Sequence, residues 1–344
     1  MNQAGARPVR LSTSDRLPAI DGIRAVAIVM VVVSHGEGIE PFVKVGVMGV
    51  TVFFVLSGFL ITRLLLTERD RTGHLGLGRF YLRRAARLFP ALFLMVAVVT
   101  ALRWNVEERA LSDAVWSISY VGNWWSAFGD GMGALDHVWS LAVEEQFYLT
   151  WPLVLLVPLK RHWLLAMALI MLAATVALNA LWPYQEPASG MRLFGHATPF
   201  QAPAILSGVI LAFLPMPKIS RLGPAITVTA IALLVFIATR SSGEQWNRYA
   251  ELIAALPAAV MVVAAVSGGV LAIAPLPYVG RVSYSLYLWH VPLFWITDWP
   301  PWLVIAVSVA AAIASYHVVE RPFLRVASQF VRAREVASGF ASSR

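Results

Sequence analysis

Ten stretches of apolar residues, each bounded by charged or turn-forming positions, divide most of the chain. They run from Ile20 to Ser34, Val45 to Leu66, Leu88 to Leu102, Val138 to Val157, Trp163 to Trp182, Pro199 to Leu214, Pro224 to Thr239, Leu252 to Ala272, Val282 to Ile296 and Trp302 to Val319. A helix needs about twenty apolar residues to cross the hydrocarbon core of a bilayer. The pattern therefore predicts an all-α membrane protein, a bundle of about ten transmembrane helices. The largest polar segments, Trp104 to His137 and Thr67 to Arg87, are too short to make a second domain. The expected organisation is an N-terminal segment over 1–16, a membrane domain over 17–324, and a basic, small-residue tail over 325–344 of the kind that is often disordered.

Charge selects an orientation. With a cytoplasmic N-terminus, 20 of the 27 Lys and Arg residues fall on inside segments, while the outside segments hold only Lys44, Arg103, Arg109, Arg192, Arg240 and Arg248. The positive-inside rule favours this arrangement, with both termini cytoplasmic. Composition agrees, because 58% hydrophobic and 13% charged residues over 344 positions leave more apolar surface than a soluble core can hide. A net charge of +8 could point to nucleic acid, but the basic residues are dispersed between apolar stretches, so topology explains them and no nucleic-acid partner is expected. The chain has no cysteine, which excludes disulfides, thiolate metal sites and acyl-cysteine intermediates. A cleaved signal peptide is disfavoured, since Asp21 and Arg24 interrupt the first apolar run and no small-x-small site follows. Trp104, Trp163, Trp182, Trp299 and Trp302 sit near helix ends, as interfacial anchors do.

Ionised side chains inside a bilayer cost on the order of 3 kcal/mol each, so they mark internal cavities or partners. Arg24 and His35 are separated by a turn of about 1100°, only about 20° past three full turns, and by about 16 Å along a helix, so they share a face. Asp21 precedes Arg24 at the spacing of a local ion pair. His35 ends the first helix on the outer side. A lone histidine there is often merely interfacial, yet imidazole is also the side chain best suited to take a hydroxyl proton near neutral pH. Glu144 and Glu145, in WSLAVEEQFY, offer a carboxylate partner; they point about 100° apart, so one is expected to face the cavity and Glu144 is favoured. In FYLRRAARLFP, Arg84 and Arg87 share a helical face and suit the phosphates of a cytosolic cofactor, with positive-inside retention as the plainer explanation. Ser57 and His290 lie on apolar helices, where packing or a buried hydrogen bond is the usual role. The seven histidines are scattered and no HEXXH or paired-carboxylate pattern occurs, so no metal is expected.

The order of these segments resembles that of the acyltransferase 3 family of integral membrane acyltransferases, over roughly Leu17 to Leu324. LPAIDGIRAVAIVMVVVSH is similar to that family's Arg, ten residues, His motif, carried by Arg24 and His35. VTVFFVLSGFLIT from Val50, FYLRRAARLFPAL from Phe80, HVWSLAVEEQFYLTWP from His137, GRVSYSLYLWHVPL from Gly280 and VERPF from Val319 follow in order. FF-x-x-SGF alone is weak, but six pieces in sequence are specific. The resemblance implies a ten-helix bundle that takes an acyl group, usually acetyl, from cytosolic acetyl-CoA or another acyl-CoA. The group goes to a hydroxyl of an acceptor on the outer side, commonly a sugar of a cell-envelope glycan or glycolipid; other relatives modify macrolides and so suggest small metabolites.

Many glycan-acetylating relatives carry a further extracytoplasmic hydrolase-like domain, whereas this sequence ends at Arg344, which shifts the expectation towards lipid-linked or small-molecule acceptors. On this reading His35 is the general base or itself takes the acyl group, Glu144 orients its imidazole, and Arg24 stabilises negative charge. Arg83, Arg84 and Arg87 bind the donor phosphates, and Ser57, Tyr287 and His290 contribute to the donor site. The expected location is a bacterial cytoplasmic membrane, with the bilayer, acyl-CoA and a hydroxyl-bearing acceptor as partners. A transporter is the alternative class, suggested by intramembrane charge and by Pro199, Pro203 and Pro257, but it calls for a repeat between the halves and none is evident. A membrane scaffold would not need Arg24 and His35 on one face.

Overall fold

The computed structural model describes residues 18–35, 44–129, 131–182, 193–217, 222–240, 244–268 and 270–341, and every regular element among them is helical. In chain order the helices are α1 (Pro18–Val33), α2 (Val45–Thr72), α3 (Leu77–Arg103), α4 (Ala110–Ile118), α5 (Gly122–Phe128), α6 (Trp139–Leu155) and α7 (Arg161–Leu181). They continue as α8 (Leu193–His196), α9 (Thr198–Phe213), α10 (Gly223–Arg240), α11 (Glu244–Gly268), α12 (Leu276–Ile296), α13 (Pro301–Ser315) and α14 (Arg321–Ala341). A 3-10 turn, Gly133–Val138, leads into α6, and a π-turn, Tyr316–Glu320, joins α13 to α14.

Each of the ten apolar stretches overlaps a helix. Among the described residues six segments are long and apolar enough to cross a membrane: Val45–Thr72, Leu77–Arg103, Arg161–Leu181, Gly223–Arg240, Tyr249–Val266 and Pro301–Val331. Thr198–Phe213 is a shorter apolar helix. The 1–16 segment, and Arg192, Lys218 and Arg221 of the charge pattern, lie outside the described residues.

Two boundaries differ from the sequence reading. Helix α3 starts at Leu77, well before the apolar stretch at Leu88, because the basic run contains no breaker and Pro90 is absorbed within the helix. Arg84 and Arg87, expected to share a helical face, therefore stand on a rigid rod of about 40 Å. The tail expected from residue 325 is helical to Ala341, so the boundary at 324 falls inside α14. Its Ala327 and Val331, spaced one turn apart, are buried, and the helix packs on α3.

Close helix contacts rest on small residues. Helices α1 and α12 run side by side, with the Gly280 Cα against the Asp21 backbone at one end and the His290 ring against His35 at the other. Helices α2 and α9 meet through two glycines: Gly58 lies on the Ile205 carbonyl and Gly208 on the Val55 carbonyl. Lipid offers no hydrophobic drive between helices, so this backbone approach is what their packing depends on. A side chain at Gly208 overlaps the Val55 carbonyl oxygen. Gly208→Val is expected to cost about 1–3 kcal/mol through forced separation of the pair, read as a lower melting temperature of the detergent-purified protein; an unchanged melting temperature would show that the contact contributes nothing.

Candidate active site

The helices converge on a cavity of about 150 Å3. Arg24 from α1, Ser57 from α2, Arg84 and Arg87 from α3, Glu144 from α6 and Tyr287 from α12 all line it, six of the nine residues singled out from sequence. Apolar wall is supplied by Phe53, Phe54, Leu56, Leu60 and Leu88. Arg24 is steadied from its own helix, donating from Nη1 to Asp21 Oδ1 at 2.9 Å.

The carboxylates divide between two tasks. Glu144 Oε1 accepts from both the Ser57 hydroxyl and the Tyr148 hydroxyl. Tyr148 follows Glu144 by one helical turn, so the pair shares a face of α6. Glu145, rotated away on the same helix, accepts from Arg84 Nε at 2.8 Å and Nη2 at 2.5 Å. Arg84 also lies 4.0 Å from Glu144 and stacks its guanidinium 3.0 Å from the centre of the Tyr148 ring. Its side chain is only 16% exposed. Arg84, expected from sequence to meet a phosphate, thus stands against two glutamates and a tyrosine with Nε and Nη2 engaged by Glu145. Arg87 is 35% exposed, with Nε 3.9 Å from Glu320 Oε1. Arg83 is exposed, reaches only the Arg79 carbonyl at 3.4 Å, and does not line the cavity.

The cavity extends to Ser140, Tyr284 and Tyr287. Tyr284 donates to the Leu88 carbonyl at 2.9 Å, tying α12 to α3. Tyr287 donates to the His137 carbonyl at 2.8 Å and lies 2.5 Å from the Ser140 hydroxyl. Past Tyr287 stand three imidazoles. The His290 ring is 5.5 Å from Tyr287, 4.9 Å from His35 and 5.7 Å from His137, the two imidazole contacts being edge-to-face. His35 Nδ1 is 2.9 Å from the Val31 carbonyl. A carbonyl only accepts, so Nδ1 carries the proton and Nε2 keeps the lone pair. The same reasoning puts a proton on His290 Nδ1, 2.8 Å from the Tyr287 carbonyl, and on His137 Nε2, 3.2 Å from the Leu288 carbonyl.

Neither His35 nor His290 lines the cavity, and Glu144 does not hold the His35 imidazole. The expected Glu144–His35 pair is replaced by a Glu144–Ser57–Tyr148 cluster that shares the cavity with Arg24, while His35 Nδ1 is anchored by the Val31 carbonyl and the adjacent Ser34 hydroxyl. Depth along the helices explains the change, since Arg24 and His35 are about 16 Å apart on α1. His137, Ser140, Tyr148 and Tyr284 were not selected from sequence, although each lies within a motif that was. The one usable signal was spacing: Tyr148 is a turn from Glu144, and Tyr284 is nearly a turn from Tyr287. No group of three or more His, Cys, Asp or Glu suited to a metal ion occurs among the described residues.

With this geometry in place, the family-level comparison is direct. An acyltransferase domain model, that of the acyltransferase 3 family, matches residues 17–319. The chain belongs to this family and is a multi-pass membrane protein. It is 32% identical to the peptidoglycan O-acetyltransferase OatA of Listeria monocytogenes, over 89% of this chain and 55% of that protein. It is 29% identical to the putative peptidoglycan O-acetyltransferase YrhL of Bacillus subtilis, over 89% and 54%, and 31% identical to a putative O-acetyltransferase of Staphylococcus aureus, over 89% and 57%. The chain thus spans about half the length of the curated relatives it matches. No solved structure matches it significantly.

Proposed function

We propose that this protein moves an acyl group, acetyl in the simplest case, from cytosolic acyl-coenzyme A to a hydroxyl of a cell-envelope glycan across the membrane. The supporting observation is the cavity itself, which carries Arg24 and Arg87 on its wall and reaches Tyr287, the neighbour of the His290–His35 pair. Two relatives bear names that specify peptidoglycan, which supports a glycan acceptor.

In this reading Arg87, with Arg24 behind it, meets the donor phosphates, the arginine fork being matched to phosphate oxygens. Apolar walls interrupted by Ser57, Ser140 and Tyr284 suit a pantetheine arm, in which methylenes alternate with amides. To reach His35 the thioester passes Tyr287, whose hydroxyl is restrained by Ser140 and the His137 carbonyl. The acceptor oxygen then attacks the thioester carbonyl and the carbon–sulfur bond breaks. The hydroxyl proton goes to His35 Nε2 and from there to the departing thiolate, giving an ester and coenzyme A thiol. Ser57 and Glu144 hold the cavity wall and do not enter this step.

The test is transfer across a sealed membrane. Proteoliposomes receive labelled acetyl-coenzyme A on the face bearing the α2–α3 connection and glycan fragments with free hydroxyls on the other. Label esterified to the glycan is the expected result. Movement of an unmodified solute, or thioester hydrolysis with no acylated glycan, would overturn the proposal.

A further inference from the structure

We infer that Glu320 is a positioning residue for the donor: it holds the Arg87 guanidinium by one edge so that the other edge meets the phosphates of acyl-coenzyme A. This rests on the reading of Arg87 given above. Glu320 is 1% exposed, on a segment otherwise turned largely towards the surroundings, with Val318 73% and Phe323 53% exposed. A carboxylate in that position has to be paired. Its Oε1 lies 3.9 Å from Arg87 Nε, and its Oε2 accepts from the Ser285 hydroxyl at 3.3 Å. Three elements that are distant in sequence, α3, α12 and the π-turn, therefore meet on this one side chain.

The π-turn is the reason Glu320 faces inward. It occupies Tyr316–Glu320 and ends on this residue. A π-turn inserts about one extra residue into a helix, and one residue is about 100° of rotation. Without it a continuous α13–α14 helix would turn Glu320 well away from Arg87. Turns of this kind are costly and recur at functional sites. The contact through Nε also matters. A guanidinium offers donors along two edges; at 3.9 Å Glu320 is an ion-pair neighbour on the Nε side rather than a hydrogen-bond partner, which leaves the terminal Nη pair for an anion in the cavity that Arg87 lines.

The experiment measures equilibrium binding of coenzyme A, and of pantetheine, which lacks its nucleotide phosphates, to the full chain in nanodiscs. Glu320→Asp keeps the charge and withdraws it by one methylene, so it changes position without changing net charge. It is expected to weaken coenzyme A binding about threefold to tenfold, to leave pantetheine binding unchanged, and to have no further effect in an Arg87→Lys background. Should Glu320→Asp not fold, Ser285→Ala releases the same carboxylate from its other side and is expected to weaken coenzyme A binding about threefold, again sparing pantetheine. A purely structural role would lower the affinity for both ligands alike and would persist in the Arg87→Lys background, which overturns the inference. If Arg87→Lys selectively weakens coenzyme A and the Glu320 variants do not, the inference fails alone. If Arg87→Lys itself does not distinguish the two ligands, the phosphate reading of Arg87 falls and the inference falls with it.

Discussion

His35→Ala is expected to lower acyl transfer by about two to four orders of magnitude, the usual contribution of a general base, while the purified protein keeps its helical content and melting temperature. His35 is held at Nδ1 by the Val31 carbonyl and the Ser34 hydroxyl and by ring contacts with His290 and Phe294, so removing its ring breaks no side-chain ion pair. The measurement is initial rate at saturating donor with equal amounts of folded protein. Transfer within about threefold of the parent would remove His35 from the chemistry. The assay should include His35→Gln, which retains a hydrogen-bonding side chain but cannot take a proton near neutral pH. It is expected to be as inactive as the alanine variant.

Arg84→Met is expected to have the largest effect on stability. The substitution leaves Glu145 facing a gap and removes the cation between it and Glu144, in a site where Arg84 is 16% and Glu145 18% exposed. Removing one partner of a largely buried ion pair typically costs about 3–5 kcal/mol, because the remaining charge is left dry and unpaired. Arg83→Met, one position away on the exposed side of α3, is expected to change stability by less than about 0.5 kcal/mol. Thermal unfolding of the two variants in the same detergent makes the comparison. Equal melting temperatures would mean that the Arg84–Glu145 contact contributes little and would return Arg84 to the pool of phosphate-binding candidates.

Fold and site were legible to different degrees for a physical reason. Apolar length and the exclusion of charge act locally, so the positions of the helices can be read along the chain. Spacing within a helix is equally local. It turned Glu144 and Glu145 apart, and the cavity lining, which includes Glu144 and not Glu145, is consistent with that. What could not be read was which residues of different helices share a depth. Glu144 was matched to His35 because both belong to outer halves of helices, yet it lies with Ser57, Tyr148 and Arg24. Arg84 and Arg87 look equivalent in FYLRRAARLFP, but one is committed to Glu145 and the other stands 3.9 Å from a glutamate far away in sequence. VERPF was recognisable as a motif without any indication that a π-turn directs its glutamate inward.

The sequence by itself determined that this is a helical membrane protein of the acyltransferase 3 type, and it selected six of the side chains that line the cavity, because hydropathy and helical periodicity are properties of neighbouring residues. The tertiary structure alone decided the partners: Glu144 with Ser57 and Tyr148, Arg84 with Glu145, Arg87 with Glu320, and His35 with His290. Those choices depend on crossing points and relative depth of helices, set by contacts such as Gly58 on Ile205 and Gly280 on Asp21. In a bilayer such contacts decide which polar groups meet, since a group that finds no partner there has no water to replace it.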